Sequence, residues 1–137
     1  MSYCQPKPQR GTAMLERRKR RLTKADDLRE AYALVDARDG GVCRVTGRYT
    51  VSGAPDARVR REHHHLRGRR VRPEWRSDAD RIILVCAEAH QLIEGGFLTV
   101  EGDNAAGVLR FHWNGIRPSE RPFAIKSRRW SQNEDED

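Results

Sequence analysis

The chain has 137 residues, 36% of them hydrophobic and 34% charged, which bounds it to one small domain with a compact core and tails. Its 27 Lys and Arg against 20 Asp and Glu leave a formal charge of +7, pointing to a polyanionic partner: nucleic acid first, an anionic membrane surface second. No apolar run approaches bilayer length and residues 2–12 carry no signal peptide, while three cysteines at irregular spacing make no disulfide framework, so a reducing cytoplasm is the expected setting.

In chain order, residues 1–22 read as a disordered basic arm. Its run Leu15–Lys24 includes Arg17, Arg18, Lys19, Arg20 and Arg21 and is either a solvated tail or a contact to phosphates. Thr23-Lys24-Ala25-Asp26 resembles a capping box, and Leu28, Ala31, Tyr32 and Val35 follow at helical spacing, so a helix is expected over 24–38, stopped by Asp39-Gly40-Gly41. Residues 42–49 read as β-like around a turn at Thr46-Gly47, and 51–57 as loop. A strand over 58–66 would place His63 and His65 on one face and His64 on the other. All three could serve one site only where the strand ends or bulges.

The stretch 62–94 holds four of the five histidines. At its end Arg81–Val85 is a short β-branched apolar run, and Cys86–Glu94 reads as a helix halted by Gly95-Gly96. On that helix His90 and Glu94 share a face beside the apolar stripe of Ala89, Leu92 and Ile93. Histidines on a strand and a histidine with a carboxylate on a helix form a set able to converge on one metal ion. Residues 97–100 and 108–113 predict a hairpin around Gly102-Asp103-Asn104, with His112 structural. An irregular basic extension and an acidic end fill 116–137, so the expected domain spans 23–115. Arginines at 58, 60, 61, 67, 69, 70, 72 and 76 flank the histidines and are expected to form a phosphate-binding surface, with Trp75 stacking on a base, wedging into a groove or packing on the domain.

The pattern Arg38-Asp39-Gly40-Gly41-Val42-Cys43-x-x-x-Gly47, then His64-His65-Leu66, then Arg81-Ile-Ile-Leu-Val-Cys86-x-x-x-His90 resembles the HNH endonucleases, the ββα-metal or His-Me finger nucleases of phage and bacterial type. The resemblance covers roughly residues 30–100. It implies an α+β fold in which an N-terminal helix packs on a ββα-metal finger, followed by a hairpin and basic tails. It also implies that His65 is the general base, that His64 and His90 bind a divalent metal, and that Glu94 takes the place of a further histidine ligand. Mg²⁺ is the first expectation for the metal, with Mn²⁺, Ni²⁺ or Zn²⁺ as alternatives.

Two features depart from the family. Its asparagine is Arg81 here, and arginine has no acceptor with which to ligate a metal. Asp80 or Asp78 could stand in after a register shift. The family's paired Cys-x-x-Cys knuckles read Cys43-x-x-Thr46 and Cys86-x-x-Ala89, and two thiolates cannot close a tetrahedral structural zinc site, so none is expected. His63 is an extra histidine: a neighbour of the ligands, an alternative ligand or an exposed side chain. The expected function is metal-dependent hydrolysis of DNA, double-stranded first. The alternatives are a weakened finger that only binds nucleic acid and an accessory subunit of a phage assembly in a bacterial host.

Overall fold

A computed structural model describes residues 10–66 and 73–126, with side chains at 24–66 and 74–126. The fold is mixed α+β. Helix α1 (Arg10–Asp39) leads to strand β1 (Arg61–His65), which pairs antiparallel with β2 (Ile82–Cys86); helix α2 (Ala87–Glu94) follows directly, then the hairpin β3 (Leu98–Glu101) and β4 (Arg110–Trp113).

Helix α1 starts fourteen residues before the expected 24. The reason is propensity: residues 13–22 are Ala, Met, Leu, Glu, Arg and Lys, all strong helix formers, and no Gly or Pro interrupts them. Residues 10–22, expected as a disordered arm, are therefore helical, and Thr23 lies inside the helix instead of capping it. The far end is as expected. Gly40 and Gly41 take φ of +64° and +74°, and the Gly41 N–H returns to the Asp36 carbonyl at 3.1 Å, a Schellman closure that turns the chain back.

Strand β2 is buried along its whole length because both of its faces are covered. Ile82 and Leu84 pack against Ala31 and Val35 of α1. Ile83 and Val85 join Cys43, Cys86, Ala89, Leu98, Leu109 and Phe111 in the larger core beneath α2 and the hairpin. Strand β1 pairs residue by residue with this central strand, from Arg61↔Cys86 to His65↔Ile82. Alternation then assigns Glu62 and His64 to the α2 side, and Arg61, His63 and His65 to the α1 side.

Part of 116–126, expected as an irregular basic extension, packs on the domain. Phe123 and Ile125 lie against the larger core, the Phe123 ring is 5.0 Å from that of Trp113, and the Lys126 N–H donates to the Val45 carbonyl at 2.7 Å. Across the hairpin His112 pairs with Glu101.

Candidate metal centre

His64, His90 and Glu94 come together. One ligand atom from each lies within 4.8 Å of the others: His90 Nε2 is 3.2 Å from Glu94 Oε1, and His64 Nδ1 is 3.8 Å from the same oxygen. The two imidazoles meet edge to face with centroids 5.4 Å apart. Metal bonds of about 2.1 Å place neighbouring donors roughly 3–3.5 Å apart, so the set fits a small divalent cation with little adjustment. The supports are local. His64 projects from β1 toward α2, while a four-residue step on α2 aligns His90 with Glu94. The helix is fixed at its start by Cys86, whose Sγ accepts the Ala89 N–H at 3.5 Å.

Glu62 was not singled out from sequence, yet it belongs to this centre. Its Oε1 is 2.7 Å from His90 Nδ1, and Arg60 lies 3.6 Å from its other oxygen. A carboxylate can only accept when ionised, so Nδ1 carries the proton and Nε2 faces Glu94 as the ligand atom. The signal was present: Glu62 and His64 are two apart on a strand and so share a face.

The other two histidines of the triplet lie on the opposite face. His63 stacks flat on Tyr32 at 4.0 Å, and its Nε2 is 2.7 Å from Asp36 Oδ1, so it joins β1 to α1 and is not a ligand here. His65 closes β1. Its Nε2 lies 3.0 Å from the Arg76 carbonyl, which can only accept, so Nε2 bears a hydrogen and an uncharged ring would carry its lone pair on Nδ1.

Arg61, expected on a phosphate surface, is turned inward. Alternation points it at α1, where it donates to Thr50 Oγ1 and the Thr50 carbonyl, both at 2.9 Å, and lies 3.4 Å from Asp36. Trp75 packs on the domain, its ring 4.2 Å beneath the Arg81 guanidinium. Arg81 donates to the Asp103 carbonyl at 2.6 Å, and Asp80 is exposed in the adjacent 3-10 turn Ala79–Arg81, so neither belongs to the ligand set. Arg67, Arg69, Arg70 and Arg72 lie outside the described residues, as do the side chains of Arg17, Arg18, Lys19, Arg20 and Arg21. Cys43 and Cys86 are brought together as free, buried thiols sharing a hydrogen bond. Thr46 and Ala89, which stand where second knuckle thiolates would be, are buried beside them.

Burial, and then the His90 ring beside it, lower the His64 value to about 4, with Glu94 opposing, so at neutral pH this ring is an uncharged ligand. A lowered value means the unfolded chain takes the proton first. With chelator present, His64 should cost nothing above about pH 6.5, and stability should fall as pH drops from there to about 4. At about 1.4 kcal/mol per pH unit the loss reaches roughly 3 kcal/mol. Denaturant titrations at several pH values in EDTA, wild type against His64→Asn, check this: the variant should show the shallower decline.

No family model matches the chain, and no curated protein or solved structure matches it.

Proposed function

We propose that the protein is a metal-dependent nuclease whose β1–β2–α2 unit works as a ββα-metal finger. One observation carries the reading: His64, His90 and Glu94, from a strand and the helix that follows its partner, converge on a single point. Two imidazoles and one carboxylate are a donor set for Mn²⁺, Ni²⁺ or Zn²⁺ more than for Mg²⁺, which prefers oxygen ligands and water. Such a cation would neutralise charge on the scissile phosphate and the leaving 3′ oxygen.

The protein's own part is the proton. His65 takes a proton on Nδ1 from the attacking water as the water oxygen bonds to phosphorus and the P–O3′ bond breaks. The departing 3′ oxygen takes a proton from solvent, so the products are a 5′-phosphate and a 3′-hydroxyl. The net charge of +7 supports a nucleic-acid backbone as substrate.

One observation favours a second reading, a finger that binds nucleic acid without cutting it: His65 and His64 leave β1 on opposite faces. The assay separates the two. Supercoiled plasmid is incubated with Mg²⁺, Mn²⁺ or Ni²⁺, with and without EDTA, beside His90→Ala. Nicking that needs both the cation and His90 supports the nuclease; plasmid retarded in a gel but uncut with every cation supports the binder. Independently, Mn²⁺ or Ni²⁺ at a hundred times its dissociation constant should stabilise the fold by about 2.7 kcal/mol, and His90→Ala should remove that gain in a thermal melt.

A further inference from the structure

His65 is held by a backbone carbonyl, and that carbonyl sits in the short 3-10 turn Pro73–Ser77, which cannot fix itself. Helix α1 packs on the turn, and Arg81 ties it to its surroundings through both its side chain and its backbone. Its guanidinium lies 4.2 Å over the Trp75 ring, the residue before Arg76. Its Nη1 donates to the Asp103 carbonyl at 2.6 Å, tying the same side chain to the β3–β4 loop. Its backbone closes the other side: the Arg81 carbonyl accepts the Leu66 N–H at 2.8 Å, next to His65, and the Arg81 N–H donates to the Asp78 carbonyl at 2.9 Å. The Asp78 N–H in turn donates to the Trp75 carbonyl at 3.2 Å.

The geometry points to Arg81 as a positioning residue: pinned between Trp75 and the Asp103 carbonyl, it holds the Arg76 carbonyl against His65 Nε2 and so keeps the His65 lone pair on Nδ1. A planar guanidinium suits the task, since one face can stack on indole while an edge donates to a carbonyl. A lysine has no flat face and cannot do both. Arg81 acts on His65 through the turn. This role rests on the reading of His65 as the base, but the placement of the His65 proton can be observed whether or not the protein cuts DNA.

The test reads ring nitrogens by ¹⁵N–¹H correlation of histidine-labelled, full-length protein in EDTA, at about pH 8.5, above the ordinary imidazole value of about 6.5. The His65 signals are identified by their loss in His65→Ala. Wild type should show His65 with its hydrogen on Nε2. Arg81→Ala, and separately Trp75→Ala, should move both His65 nitrogens toward the averaged shifts of exchanging tautomers, while the His63 and His112 signals stay in place and report an intact fold. Trp75→Phe, which keeps an aromatic face, should restore the wild-type pattern. Where nicking is measurable, Arg81→Ala should slow turnover about tenfold with KM for plasmid unchanged, the mark of a misplaced base. An unaltered His65 pattern in both Arg81→Ala and Trp75→Ala overturns the proposal, as does a wild-type ring bearing its hydrogen on Nδ1. A plasmid left uncut by wild type overturns the nuclease reading alone.

Discussion

His65→Ala is expected to lower the rate of cation-dependent plasmid nicking by about 10²–10⁴-fold, the range that a positioned general base contributes. Affinity for the same plasmid should hardly change, because it is carried by basic side chains on many phosphates and not by one imidazole. Added imidazole should restore part of the lost rate, since a free base can occupy the space the ring leaves. A variant that cuts at the wild-type rate would remove His65 from the chemistry. The complementary change is Arg67, Arg69 and Arg70 replaced together. If these arginines contact phosphates, binding weakens across all sequences and its salt dependence flattens by about one unit of slope per lost contact, with turnover of bound plasmid preserved.

Asp39→Ala is expected to bring the protein close to unfolding. The carboxylate is 1% exposed at the end of α1. It accepts from Arg38 at 2.8 and 2.9 Å, from Arg44 at 3.1 Å and from the Leu84 N–H in the central strand at 3.1 Å. The two guanidiniums reach onward, Arg38 to the Ala79 and Ile82 carbonyls and Arg44 to the Ala105 carbonyl. Burial already lowers the Arg44 value, and Asp39 is what opposes this. Deleting the carboxylate strands a buried cation, at a cost of about 3–5 kcal/mol, against a total stability of about 5–15 kcal/mol for a domain. Asp39→Asn, which keeps the shape but not the charge, should fall between. Urea midpoints rank the three proteins, and a wild-type midpoint for Asp39→Ala would show that the hub contributes nothing.

The contacts that sequence reading found are those set by short spacings. The four-residue step from His90 to Glu94 and the apolar run Ile82–Val85 placed the helix and the central strand within a residue, because helical and strand periods fix faces locally. The same two-residue period was applied to the histidines but not to their neighbours. Applied to Glu62 and Arg61, it would have put the first beside His90 and turned the second toward α1. Other roles had no local trace. Asp39 read as a helix stop because its partners Arg44 and Leu84 come from separate segments, Leu84 being 45 residues on. Arg81 read as a missing asparagine because the carbonyl it holds is 22 residues away. The start of α1 was misplaced for the opposite reason: a favourable cap inside a long run of good helix formers does not oblige the helix to begin there.

Three identical side chains in a row carry no register information of their own. If β1 slid by one position along β2, a histidine would still point toward α2, so the imidazole count at the cation site could not tell the correct alignment from its neighbours. The alignment must be written by the unlike residues: Glu62 against His90 on one side, Arg61 and His63 against Asp36 on the other, and the Arg76 carbonyl at the strand's end. A one-residue deletion within the triplet would therefore still leave a histidine facing α2, yet it would put the residues on one side of it out of register with their partners.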